Sequence, residues 1–138
     1  MNLIAYIDGA SLGNPGEAGF GVVVKDTSGV ILHQRGGYIG QATNNVAEYR
    51  GLLACLETVR QFNVETLTIY SDSQLMVNQV NGIYRVKNPG LKDLHSQVLE
   101  ALHASEYHFS IHHVPREQNK EADQMASRAA RIRSDVIV

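Results

Sequence analysis

Two short apolar runs in this chain each end in a carboxylate, and no other feature narrows its fold as much. Leu3-Ile4-Ala5-Tyr6-Ile7 runs into Asp8, and Leu67-Thr68-Ile69-Tyr70-Ser71 runs into Asp72. At strand length the first run reads as a strand buried on both faces, although periodicity alone does not separate it from a buried helix. Gly9, Gly13, Asn14, Pro15 and Gly16 follow Asp8. Those residue types supply the positive or fixed φ that turns need. The pattern therefore predicts a central strand ending at Asp8, where the sheet opens to solvent. A carboxylate there costs desolvation free energy unless a positive group answers it. Taken alone, Asp8 reads as a capping or turn residue. Three further acids in comparable settings change that reading.

Between and after these runs the elements follow one another closely. Phe20–Lys25 and Val30–Arg35 read as two more strands, so the chain opens with an antiparallel meander. The small Gly19 and Gly21 leave room for a ligand or a neighbouring backbone. Thr43, Asn44 and Asn45 are good N-cap residues. They precede Tyr49, Leu52, Leu53, Leu56 and Val59, one apolar stripe at helical spacing. Glu48 sits beside that stripe, either against the sheet or solvated near the helix start, where the dipole favours it. Ser71, Asp72 and Ser73 cap a short helix carrying Leu75, Met76, Val77 and Val80, which stops at Asn81-Gly82. A helical crossover makes the strands of Asp8 and Asp72 parallel neighbours, which places both carboxylates at one sheet edge. Ligand sites in open α/β sheets lie at that edge.

The remainder continues the same plan. Arg85–Gly90 is a polar connection, and Leu91, Leu94, Val98 and Leu102 mark another helix. Residues 107–113 alternate as a fifth strand, with one of His112 and His113 expected to face in and the other out. The last helix starts near Asn119, with Ala122, Met125, Ala126, Ala129 and Ala130 as its stripe and Asp123 beside it. The tail ends in Val136-Ile137-Val138, which either packs on the body or adds an edge strand.

Composition sets limits on function. A chain of 138 residues, 43% hydrophobic and 19% charged, suits one soluble domain with a real core. The start has no signal-peptide pattern and no run reaches the ~18 residues of a membrane helix, so a cytoplasmic location is expected. One cysteine, Cys55, excludes an internal disulfide and reads as a buried thiol rather than a nucleophile. The net charge of −2 argues against a polyanion binder unless several acids are neutralised by metal. Setting four acids of the 14 aside leaves the 12 Lys plus Arg in slight excess.

Asp8, Glu48, Asp72 and Asp123 all stand at strand ends or helix starts. Four carboxylates cannot gather as anions without counter-charge, because repulsion raises their pKa values. Oxygen-only sets of this kind suit magnesium or manganese rather than zinc. Two such ions roughly 3.5–4 Å apart can activate water and stabilise the leaving oxygen of a phosphodiester.

Four separated motifs then carry a resemblance. Asp8-Gly9 with Gly13–Gly16, Thr43-Asn44-Asn45 with Glu48, Tyr70–Gln74, and Asn119 with Glu121-Ala122-Asp123 together resemble type 1 ribonuclease H. The resemblance spans nearly the whole chain. It implies an α/β fold with a five-stranded mixed sheet, order 3-2-1-4-5, flanked by helices. It implies an endonuclease that hydrolyses the RNA strand of RNA–DNA hybrids with Mg2+, two ions with substrate and Mn2+ possible, leaving 5′-phosphate and 3′-hydroxyl ends. Asp8, Glu48, Asp72 and Asp123 match the family's metal-binding acids, and Glu48 also a contact to a ribose 2′-hydroxyl. Gly9, Asn14, Asn44 and Gln74 match residues at the hybrid's minor groove, and Thr43 and Asn88 a pocket for a DNA-strand phosphate. The only macromolecular partner implied is the hybrid, bound by a monomer.

Two departures from the family pattern stand out. Between Gly82 and Leu91 there is no room for the extra helix and Trp-containing basic loop of some members, and the chain has no Trp. It resembles the compact form found among archaeal and some bacterial members. In the loop before Asp123, where members often carry a mobile His, this chain has Arg116. Arg116 either draws a phosphate electrostatically or is a solvated side chain paired with Glu117 or Glu121. The alternatives are a non-cleaving hybrid-binding module and an integrase-like core. Four retained acids argue against the first, and the lack of an appended domain against the second.

Overall fold

The computed structural model describes residues 1–137. Its sheet contains β1 (Asn2–Ser11), β2 (Gly16–Asp26), β3 (Ile31–Ala42), β4 (Thr66–Ser71), β5 (His108–His113) and β6 (Val136–Ile137). Its helices are α1 (Asn44–Thr58), α2 (Gln74–Val80), α3 (Pro89–Ala104) and α4 (Lys120–Ile132). The strand order is β5-β4-β1-β2-β3-β6. The expected 3-2-1-4-5 sheet is therefore present, with a sixth strand on its β3 edge. That strand resolves the two readings of the tail: Arg35 and Gly36 pair with Ile137 and Val136.

β1 is the central strand, antiparallel to β2 and parallel to β4. Leu3, Ala5 and Ile7 on its one face join Val22, Val24, Leu52, Leu56, Leu67 and Ile69 in the main core. α1 lies over this face, and α2 and α3 pack beside it. α4 covers the other face, across β1, β2 and β3. The glycines of β2 explain how closely it does so. A Cβ on Gly21 would overlap the Ala122 carbonyl, and one on Gly19 would crowd Ala129 and the Ala126 carbonyl. The space predicted beside Gly19 and Gly21 is thus filled by helix backbone rather than by a ligand.

Cys55 is buried in this core, where burial pushes its thiol up to about 12. It has no nucleophilic character there. β5 departs from the expected alternation. Only Ile111 is buried, and His112 and His113 are both exposed. β5 is an edge strand, so one of its sides and much of its face meet solvent rather than a packed helix. No helix among the described residues is long and apolar enough to cross a membrane.

Candidate active site

The position of Asp8 corrects one sequence expectation and explains the site. β1 does not end at Asp8 but continues to Ser11, paired with β2 from Leu3↔Asp26 through Asp8↔Gly21 to Ser11↔Ala18. The glycine-rich stretch is therefore the tip of a long hairpin. On the other side, the parallel pairing with β4 stops at Ile7↔Ser71. The sheet thus parts on one side only, just where Asp8 and Asp72 follow Ile7 and Ser71. Parallel strands must leave the sheet for their crossovers, whereas a hairpin keeps its strands together to the turn.

Each helix start delivers a further acid to this opening. Thr43 caps α1, its Oγ1 accepting from the Val46 N–H at 3.3 Å. Glu48 follows in the second turn and is buried, since α1 sits so close to β1 that a Cβ on Gly9 would overlap the Ala47–Glu48 backbone. Ser73 caps α2 in the same way, accepting from the Met76 N–H at 3.2 Å, and Asp72 stands just before it. Asp123 lies in the first turn of α4. Its helix is tied down by Asn119, whose Nδ2 donates 2.8 Å to the Ile7 carbonyl, one residue before Asp8.

The result is a cluster of carboxyl groups. One oxygen from each of Asp8, Glu48 and Asp72 lies within 4.8 Å of the others. Asp123 comes against Asp8 closely enough to raise its pKa. Burial and the neighbouring Glu48, Asp72 and Asp123 hold Asp8 far above the ordinary carboxylate range. Burial and Asp72 push Glu48 in the same direction, against the opposing effects of Asp8 and the Gly9 backbone N–H. Glu48 Oε2 is buried with no hydrogen-bond partner. Such an arrangement stores repulsion and an unmet acceptor, and a divalent cation relieves both. The donors are all oxygen, which fits magnesium or manganese.

The cluster lines an open cleft of about 550 Å³ together with Gly9, Asn44, Arg116 and Ser127. Arg116 is mostly exposed, and its guanidinium stands 3.7 Å from Asp123 Oδ1. It therefore pairs with neither Glu117 nor Glu121; Glu121 bonds Lys25 at 2.7 Å. Asn44 lines this cleft, and Asn14 braces it. The Ser11 N–H donates to Asn44 Oδ1 at 2.8 Å, and the Asn44 N–H to Asn14 Oδ1 at 2.9 Å. Both side-chain amides use their oxygens in these bonds, and both residues are exposed. Gln74 is exposed at the first residue of α2. Thr43 and Asn88 meet in a second cavity of about 240 Å³, with Asn14, Asn45, Val46 and Leu91. Asn88 caps α3 by accepting from the Gly90 and Leu91 N–H groups. Two helix N-termini thus converge on that cavity, a setting that favours an anion.

The sequence reading did not single out Ser127, which lines the cleft beside Asp123. It stands four residues after Asp123, and helical spacing alone could have placed it on the same face.

The model of the family described as "Reverse transcriptase-like" matches residues 6–129. Ribonuclease HI of Halobacterium salinarum is 41% identical over 125 residues, covering 91% of this chain and 62% of that protein. A ribonuclease H of Jannaschia is 33% identical over 141 residues, covering 91% of this chain and 88% of that one. The chain belongs to the ribonuclease H family. A crystal structure of LC11-RNase H1 in complex with RNA/DNA hybrid superposes with a TM-score of 0.92 and 37% identity, over 96% of this chain and 99% of that one. This ribonuclease H family chain spans less than two thirds of the Halobacterium protein and 35% of a bifunctional protein of Mycobacterium tuberculosis that it also matches.

Proposed function

We propose that residues 1–138 act as one catalytic domain, a metal-dependent endoribonuclease that hydrolyses the RNA strand of RNA–DNA hybrids. The observation that carries this reading is the gathering of Asp8, Glu48, Asp72 and Asp123 where the sheet parts. A surface meant only to hold a polyanion gains nothing from clustered carboxylates. The bound hybrid of the LC11 relative supports the substrate class.

Two magnesium ions, or manganese in their place, would supply a water of lowered pKa and charge neutralisation at the leaving oxygen. Asp8, Glu48, Asp72 and Asp123 would hold these ions, with Asp8 and Asp72 shared between them in this reading. Glu48 also accepts from a ribose 2′-hydroxyl, which a DNA strand lacks. Asn14 and Asn44, with Gly9 and Gln74, face the minor groove, where those hydroxyls are displayed. Thr43 and Asn88 hold a phosphate of the DNA strand at their two helix N-termini. Arg116 draws the scissile or departing phosphate by a charge-assisted contact. Cleavage leaves 5′-phosphate and 3′-hydroxyl ends. The protein works as a monomer in the cytoplasm.

Labelled hybrid, duplex DNA and duplex RNA, each with and without magnesium, test the proposal directly. Cleavage is expected of the hybrid's RNA strand and only with metal. Asp8→Asn should lower the rate by orders of magnitude with the fold retained on circular dichroism. Near-normal cleavage by Asp8→Asn would end the metal-site reading.

A further inference from the structure

α4 carries a further cavity that begins where the acidic cleft ends. It holds about 370 Å³ and is lined by Asp123, Gln124, Met125, Ser127, Arg128 and Arg131. Asp123 and Ser127 line both spaces, so the two are continuous along the helix. Arg128 and Arg131 are exposed and spaced i, i+3, so their guanidinium groups share one face. Among the described residues neither has a carboxylate within ion-pair distance, and Arg116, at the other side of Asp123, pairs with that acid.

The placement is informative. The Thr43–Asn88 cavity lies at the starts of α1 and α3, on one face of the sheet. α4 lies on the other face, and the acids sit between. A strand whose phosphate lies at the acids can pass from the acidic cleft directly into the adjoining α4 cavity, because Asp123 and Ser127 line both. At about 1.5 Å rise per residue, Arg128 and Arg131 stand roughly 7 and 12 Å along the helix axis from Asp123. A duplex advances about 3.4 Å per nucleotide of one strand. For a strand laid along α4, these distances correspond to phosphates roughly two to four nucleotides from the scissile one.

We propose that the Arg128–Arg131 face of α4 is an additional phosphate-contact site for the RNA strand, on one side of the cleavage position. It rests on the hybrid-hydrolase reading above and extends it. It supplies part of the grip that a chain without the basic loop otherwise lacks. Two guanidinium groups with no internal partner need not be released from protein carboxylates, so their whole charge is available to phosphate.

Steady-state cleavage of hybrid across a potassium chloride series tests it. The double variant Arg128→Ala/Arg131→Ala should raise KM roughly fivefold or more at moderate salt, at about two- to fivefold for each exposed charge removed. The effect should fall on KM rather than kcat, with unchanged melting temperature. The slope of log(kcat/KM) against log salt should become shallower by about one to two, near 0.9 for each phosphate that is no longer neutralised. Arg128→Lys/Arg131→Lys should recover most of the slope, because the charges remain. Neutral methylphosphonate linkages locate the strand. Placed two to four nucleotides from a fixed cleavage position on the RNA strand, on one side, they should impair the wild type and add nothing to the double variant. An unchanged KM and salt slope in the double variant, or an effect confined to linkages in the DNA strand, would overturn the proposal. If the wild-type protein itself fails to cleave hybrid, the failure belongs to the hydrolase reading, and this site falls with it.

Discussion

Asn119 opens α4, yet its side chain does not cap that helix. Its Nδ2 instead bonds the Ile7 carbonyl in a fully buried position, linking the start of α4 to the strand that carries Asp8. Removing that donor strands a buried carbonyl, at a cost of about 1–3 kcal/mol. Asn119→Ala should therefore lower the melting temperature by roughly 3–10 °C. It should also lower turnover at temperatures where the fold is intact, because Asp123 loses its anchor relative to Asp8. Unaltered turnover with only a lower melting temperature would make the bond structural alone. Arg116 behaves in the opposite way. It is mostly exposed, and its contact to Asp123 is long, so it contributes little to stability. Arg116→Ala should leave the melting temperature in place and lower turnover by about tenfold, equivalent to ~1.4 kcal/mol of transition-state or release energy. Arg116→Lys should recover part of that turnover, since charge survives and only the fork geometry goes. Wild-type turnover by Arg116→Ala across magnesium concentrations would mark it as a solvated side chain.

At the scale of elements, two glycines set the distances between helices and sheet that bring the acids together. Gly9 lets α1 touch β1, which buries Glu48 beside Asp8. Gly21 lets α4 touch β2 at Ala122, one residue before Asp123. In both cases a Cβ would meet backbone, which cannot rotate away. Gly21→Ala should shift α4 outward and cost stability on the scale of overpacked cores, about 1–3 kcal/mol. Its mark should be a raised magnesium requirement for cleavage, because Asp123 moves and the other three acids do not. Gly29→Ala is the contrasting control. Gly29 has open space around it but a φ of 87°, so that change strains a turn far from the site. It should lower the melting temperature with no change in magnesium dependence. Equal magnesium requirements in the two variants would remove the link between helix spacing and metal affinity.

For the whole molecule, the acid cluster couples stability to pH and metal. Asp8 and Glu48 have pKa values raised in the folded state, by burial first and then by the neighbouring acids. Between the ordinary carboxylate pKa and the raised values, the folded protein binds more protons than the unfolded chain. Stability therefore falls as pH rises through that window. In EDTA the melting temperature should be higher near pH 5 than near pH 8, and Asp8→Asn should flatten that slope. Magnesium should restore stability at pH 8, because a ligand that binds only the folded state stabilises it in proportion to occupancy. A melting temperature that rises from pH 5 to 8 in EDTA would show that the carboxyls are not held in this way. Scanning calorimetry across the pH series, with and without magnesium, reads all of these effects.

Much of the molecule follows from local pattern. The apolar runs before Asp8 and Asp72, the caps at Thr43 and Ser73 and the stripes of α1 and α4 depend on neighbours within a few residues, so the sequence alone determined them. It also pointed to the four acids, each read as standing at a strand end or helix start, although Asp8 lies within β1 and Glu48 in the second turn of α1. Only the tertiary structure decided how these pieces meet. Whether β1 stops at Asp8 depends on its partners: β2 follows it to Ser11, while β4 leaves at Ser71. The tail becomes a strand because β3 offers an open edge. His112 and His113 are both exposed because β5 is the last strand on its side. Arg116 turns to Asp123 rather than to its sequence neighbours because α4 brings that acid to the same cleft. Element type follows from short-range periodicity and capping, whereas register, edges and the convergence of charges depend on contacts between distant parts of the chain, which no local pattern carries.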